Sequence, residues 1–318
     1  MARSAHKPDD AWIERLLKGE RSVLARSITW IENQTADGAT VLGAIQKNVG
    51  SAVVVGFTGP PGAGKSTLVS AYVRELRSRD KTVGVVAVDP SSPFSGGAIL
   101  GDRIRMGEHT NDSGVFVRSV ASRGHLGGLS LTAARIVDVM DASGFDVIVV
   151  ETVGAGQSEY EVAEVADTKV VISTPGYGDD IQAVKAGILE IADIMVVNKA
   201  DMPQADQTVS QLNSMLHMGP AKEWATPVIK TTATTGEGVG ELADAVDEHG
   251  AAVHDAHKAG PVARTRRLIA SMASDRIRKR IAQSSDDALN QICESVARGE
   301  LDFDTAVDQA IKLGGDME

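Results

Sequence analysis

Nine consecutive residues near position 60 have the types and spacing of a phosphate-binding loop. They follow an apolar stretch and read Gly59-Pro60-Pro61-Gly62-Ala63-Gly64-Lys65-Ser66-Thr67, which fits the pattern G-x-x-x-x-G-K-[ST]. Glycines at these positions let the backbone curl around polyphosphate oxygens, so that successive N–H groups and the start of the next helix point at negative charge. The pattern predicts that Lys65 reaches the β- and γ-phosphates of a nucleoside triphosphate and that the Ser66 hydroxyl faces Mg²⁺.

A second motif, Asn198-Lys199-Ala200-Asp201, follows a later apolar run and predicts recognition of guanine. The Asp201 carboxylate can accept from both N–H groups of guanine, whereas adenine would leave it unpaired at a cost of about 1–3 kcal/mol. Asn198 would support the base and the loops, and the stem of Lys199 would lie along the face of the ring. Thr232 and Ala233 occupy the place where a backbone N–H contacts the guanine oxygen. The predicted contacts of GTP or GDP are Gly62, Ala63, Gly64, Lys65, Ser66, Thr67, Asn198, Lys199, Asp201, Thr232 and Ala233.

Three acidic residues lie between these motifs at positions suited to a metal site. Asp89 and Glu151 each follow an apolar run, and Asp102 lies on the loop between them. Mg²⁺ prefers hard oxygen ligands and bridges the β- and γ-phosphates of a bound triphosphate. The sequence therefore predicts a Mg²⁺ site formed by Ser66, Asp89, Asp102 and Glu151.

The run Glu151-Thr152-Val153-Gly154 stands where many GTPases have D-x-x-G, so the Gly154 N–H is expected to sense the γ-phosphate. Ala155 occupies the position of the familiar catalytic glutamine, and Gln157 comes later. We therefore expect slow hydrolysis until a partner orders the loops, of which Pro90 to Met106 is the predicted first switch. The predicted catalytic residues are Lys65, Asp89, Asp102, Glu151 and Gly154.

Six valine- and isoleucine-rich runs between residues 49 and 255 alternate with helical stretches. Such runs without polar alternation are typical of strands buried on both faces, so the predicted fold is α/β, with a mostly parallel sheet flanked by helices, as in P-loop NTPases. The predicted domains are an N-terminal helical extension (1–48), the nucleotide-binding domain (49–255) and a C-terminal helical arm (256–318). Within the extension, apolar residues at near-helical spacing from Asp9 to about Asn33 predict one or two helices, with Asp9 or Asp10 available to cap the start. Apolar stripes on the arm favour a homodimer over a monomer.

Composition excludes several other classes of protein. The 318 residues carry a net charge of −11, which disfavours a nucleic-acid ligand. No apolar run approaches the ~20 residues that span a bilayer, so no membrane span is expected. A single cysteine, Cys293, and an amino terminus unlike a secretory signal predict a cytoplasmic protein.

Three further stretches resemble one family of GTPases. They are Asp89 to Met106, Arg123-Gly124-His125-Leu126-Gly127-Gly128-Leu129 and Glu151 to Glu159. Together they resemble the MeaB/ArgK/MMAA family of GTPases. The resemblance covers almost the whole chain, including the N-terminal helices and the C-terminal arm. The resemblance implies a GTPase chaperone of methylmalonyl-CoA mutase or a related adenosylcobalamin-dependent acyl-CoA mutase. It also implies control of cofactor loading, protection of the mutase, hydrolysis stimulated by the mutase, and dimerisation through the C-terminal helices.

The same resemblance assigns roles by position. Lys65 and Ser66 match the phosphate and metal residues, Asp89, Asp102 and Glu151 match the Mg²⁺ shell, and Asn198 with Asp201 match the base reader. A third switch is implied within Pro175 to Lys185, and its candidate signal carriers are Asp179, Gln182 and Lys185. His125 is interpreted as a surface or partner-contact residue without a chemical role.

Two alternative functions remain open from the sequence. A metal-delivery GTPase would share the fold, but the seven histidines are scattered and the cysteine is solitary. A kinase linked to amino-acid transport would pass the γ-phosphate to an acceptor other than water, and the guanine motif gives that reading no support.

Overall fold

The structure, a computed structural model, describes residues 7–89, 107–109, 111–121, 128–152, 165–176, 186–218, 223–256, 269–270, 273–274, 277–278, 280–281, 284 and 286–316. The chain divides into two compact units, Met1–Pro261 and Val262–Glu318. The division into three domains made from the sequence stays a prediction.

The first unit contains a seven-stranded sheet in which every pair of neighbouring strands is parallel. The order across the sheet is β3-β2-β4-β1-β5-β6-β7. The strands are β1 Val53–Thr58, β2 Val83–Asp89, β3 Val115–Ala121, β4 Val147–Thr152, β5 Thr168–Ser173, β6 Ile194–Asn198 and β7 Val228–Thr231. The predicted α/β fold of a P-loop NTPase is confirmed.

Ten α-helices have defined bounds among the described residues, eight in the first unit and two in the second. They are α1 Asp10–Leu17, α2 Arg21–Glu32, α3 Ala36–Ile45, α4 Lys65–Ser78, α5 Gly128–Ala142, α6 Ala186–Ile191, α7 Ala205–Met218, α8 Val239–Ala256, α9 Asp287–Ala297 and α10 Phe303–Asp316. The short 3-10 turns Gln46–Asn48 and Gly107–His109 are also present.

Strand β1 lies at the centre of the sheet because its residues are apolar on both faces. Its neighbours are β4 on one side and β5 on the other, and Val54, Val55 and Phe57 are fully buried. From β1 the chain passes through α4 to β2, on the β4 side, whereas β5, β6 and β7 extend the sheet in the other direction. In open parallel sheets ligands bind outside the carboxyl ends of the strands at such a reversal.

The N-terminal helices pack on the sheet domain. Asp9 caps α1 by accepting from the Trp12 N–H at 2.8 Å, as the sequence indicated. The rings of Trp12 and Trp30 are 4.9 Å apart, and the Trp12 indole N–H donates to the Ser27 hydroxyl. Helices α2 and α3 both contact α5. Two helices, α1 and α2, lie within the stretch from Asp9 to Asn33, so the prediction of one or two helices there is confirmed, whereas α3 was not predicted.

Strand β3 was missed by the sequence analysis, which counted six strands. It is the edge strand beside β2, and its middle residues Arg118 and Ser119 interrupt the apolar pattern. The Arg118 guanidinium forms an ion pair with Glu32 of α2 and donates to the Thr29 hydroxyl at 3.3 Å. An edge strand covered by a polar helix face does not need the continuous apolar run of a central strand.

The second unit contains α9 and α10, which contact each other. Asp286 caps α9 by accepting from the Ala288 N–H at 2.9 Å. Leu289 of α9 is buried, and so are Ala306 and Ala310 of α10.

Candidate functional site

The phosphate loop occupies the turn between Thr58, the last residue of β1, and Lys65, the first residue of α4. Gly62 and Gly64 have φ angles of 80° and 83°, in the left-handed region that favours glycine. A Cβ atom at Gly64 would also lie 2.6 Å from the amide nitrogen of Asn198. The motif glycines are therefore required both by the backbone turn and by the close approach of a second loop.

Lys65 is held against the loop from which it arises. Its ammonium group donates to the carbonyl oxygens of Gly59 at 2.7 Å and Pro60 at 3.0 Å, and the residue is buried. A buried ammonium needs such acceptors to offset its loss of hydration. Because α4 starts at this residue, the positive end of the helix dipole is added to the charge of the lysine. Both features attract an anion to this turn.

Ser66 and Glu151 meet at the carboxyl ends of β1 and β4. The Ser66 hydroxyl donates to Glu151 Oε1 at 2.7 Å, and both side chains are buried, Glu151 completely. A hydroxyl and a carboxylate are oxygen donors of the kind that Mg²⁺ prefers, so these two residues fit the predicted metal. Two of the four predicted Mg²⁺ residues are therefore in contact.

Asn198, the last residue of β6, connects the phosphate loop with the loop that follows β7. Its Nδ2 donates to the Ala63 carbonyl at 2.8 Å. Its Oδ1 accepts from the Thr231 hydroxyl and the Ala233 N–H, both at 3.2 Å. Lys199 reinforces the link, because its ammonium donates to the Gly62 carbonyl at 2.9 Å. The base and phosphate ends of the predicted pocket are thus one hydrogen-bonded assembly.

Of the other predicted residues, four lie on α4 or after strands β6 and β7. Asp201 is exposed beyond the end of β6, Thr67 is exposed on α4, and Thr232 and Ala233 are buried after β7. Asp89 ends β2, but its side chain is not described. Five predicted residues lie outside the described residues, namely Asp102, Gly154, Asp179, Gln182 and Lys185. Their roles stay predictions.

Thr231 was not among the site residues predicted from the sequence. Its hydroxyl is completely buried and orients Asn198, which it faces in the register of β6 and β7. The signal available in the sequence was a hydroxyl residue at the end of a strand, one position before the predicted Thr232-Ala233 pair. Nothing in the sequence alone places that strand beside β6.

The parallel sheet, the turn between β1 and α4 and the N-K-x-D sequence at the end of β6 define a nucleotide-binding protein of the P-loop class. The chain belongs to the family described as methylmalonyl Co-A mutase-associated GTPase MeaB, whose profile matches residues 24–286. The family resemblance found in the sequence is confirmed.

Individual relatives agree with this assignment. The chain is 43% identical over 316 residues to a putative GTPase of Pyrococcus horikoshii, a match that covers 96% of this chain and 98% of the relative. It is 36% identical over 252 residues to the mitochondrial methylmalonic aciduria type A homolog of Mus musculus, covering 73% of this chain and 61% of the mouse protein. A solved structure described as a LAO/AO transport system kinase is similar with a TM-score of 0.75 and 27% identity, covering 97% of this chain and 99% of that one.

Across the described residues, none of the helices combines the length and the apolar character needed to cross a membrane.

Proposed function

We propose that the protein binds GTP with Mg²⁺ and hydrolyses it to GDP and phosphate. The observation that carries this proposal is the double role of Asn198, which is hydrogen-bonded both to Ala63 of the phosphate loop and to Ala233 of the loop that follows β7. Two loops joined in this way suit a ligand that has phosphates at one end and a base at the other. The N-K-x-D sequence favours guanine, because the Asp201 carboxylate can accept from both N–H groups of that base.

In the proposed reaction a water oxygen attacks the γ-phosphorus, and the bond to the oxygen bridging the β- and γ-phosphates breaks. Lys65 would exchange its contacts with the Gly59 and Pro60 carbonyls for phosphate oxygens and so stabilise their charge. Mg²⁺, when bound, neutralises further charge on these phosphates. Ser66 and Glu151 would hold it, together with Asp89 and Asp102. Gly154 would report the presence of the γ-phosphate.

The partner proposed is an adenosylcobalamin-dependent acyl-CoA mutase of the methylmalonyl-CoA mutase type. The support is the family description, which names this mutase, and the relative from mouse, which is named for methylmalonic aciduria. We propose that GTP binding and hydrolysis gate cofactor loading and protect the mutase. Because Ala155 replaces the usual glutamine, hydrolysis is slow alone, and the mutase accelerates it by ordering the switch loops.

We further propose that the protein is a cytoplasmic homodimer joined through its C-terminal helices. The support for the dimer is the apolar surface of α10, on which Phe303 and Val307 are exposed. Large exposed apolar side chains at helical spacing are typical of surfaces that pack against another chain. The proposed location is supported by the single cysteine, and cell fractionation tests it.

Calorimetry with Mg²⁺ present tests nucleotide recognition, and release of inorganic phosphate tests hydrolysis. The wild type should bind GTP much more tightly than ATP, and Lys65→Ala should abolish turnover. Lys81→Ala, which removes an exposed lysine just after α4, should leave both properties unchanged. Equal affinity for ATP and GTP, or affinity for neither, would contradict the proposal.

A kinase activity also has to be tested, because one similar solved structure is described as a transport system kinase. The phosphate-release assay distinguishes the two activities. With GTP labelled on the γ-phosphate, a hydrolase releases the label as inorganic phosphate, whereas a kinase leaves it on a protein or metabolite acceptor. The partner is tested by adding the mutase, which should raise the rate of GTP hydrolysis. A pull-down with a nonhydrolysable GTP analogue that recovered no cobalamin-dependent enzyme would oppose the chaperone role.

A further inference from the structure

Beyond the phosphate loop, α4 carries three side chains along one face that bind a single segment of the β2–β3 connection. The segment comprises residues 107–109 and 111–114 and is called the bracket below. The Ser70 hydroxyl donates to Glu108, and Arg74 donates to the same carboxylate oxygen at 2.8 Å. The buried His109 ring places Nε2 3.0 Å from the Ser70 hydroxyl and 3.1 Å from the Ser70 carbonyl. One end of the bracket is therefore fixed to the second turn of α4.

The third side chain of α4 is Arg77, which forms a two-point ion pair with Asp112 of the bracket. Two guanidinium nitrogens of Arg77 donate to the two carboxylate oxygens at 2.8 and 3.1 Å, and both side chains are about one-third exposed or less. Asp112 also accepts from the Gly114 N–H at 2.8 Å. A Cβ at position 114 would lie 2.3 Å from the guanidinium carbon, so a side chain there would displace the guanidinium from this position. A planar two-point pair of this kind fixes direction as well as distance.

The other side of the bracket is bound by α2. Arg21 of α2 donates to the carbonyl oxygens of Asp112 at 3.0 Å and Ser113 at 3.3 Å. The same guanidinium lies over the ring of Phe116, 5.7 Å from its centre. Asp112 therefore binds α4 through its carboxylate and α2 through its carbonyl. A continuous series of contacts joins the helix that starts at the phosphate loop to the N-terminal helices.

We propose that the bracket transmits the state of the phosphate loop to α2, so that nucleotide binding changes the local stability of the N-terminal helices. The inference rests on the proposed function, because it needs a nucleotide at the start of α4. A helix moves as a rigid element, and any shift of its first turn on phosphate binding reaches Ser70, Arg74 and Arg77 on the same face. Energetic coupling of this kind is reciprocal, so changes in α2 also alter nucleotide affinity.

Hydrogen exchange of the α2 amides, measured with and without GDP, tests this proposal on the full chain. GDP should slow exchange within Arg21–Glu32 by about fivefold or more, the lower end of typical coupling between sites. Arg77→Gln should remove this response while GDP still binds. Glu108→Gln, which loses the ion pair with Arg74 but keeps the side-chain size, should weaken the response and serves if Arg77→Gln fails to fold.

Arg79→Gln is the matched control, because Arg79 directly follows the last residue of α4 and has an exposure and ion pairs similar to those of Arg77. Its partners are Glu75 of α4 itself and Asp244 of α8, so it does not touch the bracket. The response of α2 to GDP should persist in this variant. Unchanged α2 exchange in a wild type that binds GDP, or an undiminished response in Arg77→Gln, would overturn the inference alone. Absence of GDP binding would overturn the proposed function and this inference with it.

Discussion

At the scale of single residues, Asn198 uses both ends of its amide. The amino group donates to the Ala63 carbonyl, and the oxygen accepts from Thr231 and Ala233. All four residues are buried, so these groups have little access to water. The side chain therefore contributes to nucleotide binding by holding two loops at a fixed separation, in addition to any contact with the base.

Asn198→Ala should lower GTP affinity by about fivefold or more, because loss of the buried partners costs about 1–3 kcal/mol and tenfold corresponds to about 1.4 kcal/mol. Calorimetric titration with GTP in Mg²⁺ measures the change. Asn48→Ala, which removes an exposed asparagine before β1, should bind GTP like the wild type. Wild-type affinity in Asn198→Ala would show that the two loops hold their separation without this amide.

Asp201→Asn should shift the base preference from GTP toward xanthosine triphosphate. The carboxylate accepts from the guanine amine, whereas an amide can donate to the carbonyl that xanthine has in its place. Competition between the two nucleotides for a fluorescent GDP analogue measures the preference. Asp206→Asn, a change at a nearby exposed carboxylate that pairs with Lys230, should leave the preference for GTP intact. An unchanged preference in Asp201→Asn would remove Asp201 from its assigned role.

At the scale of secondary-structure elements, His249 joins α8 to the amino ends of β5 and β6. Its Nδ1 lies 2.8 Å from the Thr168 hydroxyl, and Nε2 lies 3.6 Å from Asp193. Trp224 packs edge-on against the ring at 5.0 Å and donates to the Asp193 carbonyl. Burial lowers the pKa of His249 below its usual value, although the nearby Asp193 opposes this effect.

A lowered pKa in the folded state makes stability depend on pH in a defined direction. The unfolded chain takes up a proton near pH 6.5, while the folded chain resists it, so the contribution of His249 is intact above that pH and declines on acidification. The other charges that act on the ring are Lys169, which lowers its pKa further, and Asp167, which raises it. His249→Gln should therefore show a smaller loss of stability between pH 7.5 and 5.5 than the wild type.

Urea unfolding at the two pH values measures this difference. His217→Gln, a change at an exposed histidine in the last turn of α7, should retain the wild-type pH dependence. Equal pH dependence in His249→Gln and the wild type would mean that the buried ring takes up its proton as readily as in the unfolded chain.

The elements differ in how far the sequence predicted them. Six strands were identifiable because they are rich in valine and isoleucine, and strands such as Val53–Thr58 and Ile194–Asn198 are buried on both faces. Strand β3 was not, because Arg118 forms its ion pair with a helix that is 86 residues away in sequence. The local pattern of apolar and polar residues indicates which faces of a strand are buried. It gives no information about an ion-pair partner that is distant in the sequence.

The site shows the same limit. The phosphate loop and the N-K-x-D sequence were recognisable because each is a local pattern fixed by its ligand. The link between them was not, because Asn198 and Ala63 are 135 residues apart and their contact depends on the strand order. The bracket was missed for the same reason, since Ser70 and Glu108 have no shared local signal. Motifs therefore predict the ligand, whereas the coupling between motifs is determined by topology.

At the scale of the whole molecule, the second unit presents an apolar surface on α10. Phe303, Val307 and Ile311 recur every four residues and are 77%, 53% and 42% exposed. Ala306 and Ala310 of the same helix are buried. A helix with one buried apolar stripe and a second, exposed one has more apolar surface than its own unit covers.

Val307→Glu should convert the proposed homodimer into a monomer, because a carboxylate at the centre of the exposed stripe would have to be buried without a partner. Sedimentation equilibrium should give twice the 33.3 kDa chain mass for the wild type and the single chain mass for the variant. Gln309→Glu adds the same charge at an exposed position outside the stripe and should remain dimeric.

Each apolar side chain covered by the partner contributes about 1.5–3 kcal/mol to dimerisation, so disruption of the stripe should weaken the dimer enough to be detected. GTP affinity measured on both variants confirms that they are folded. A dimer that survives Val307→Glu would place the interface on another surface, and a monomeric wild type would refute the proposed assembly.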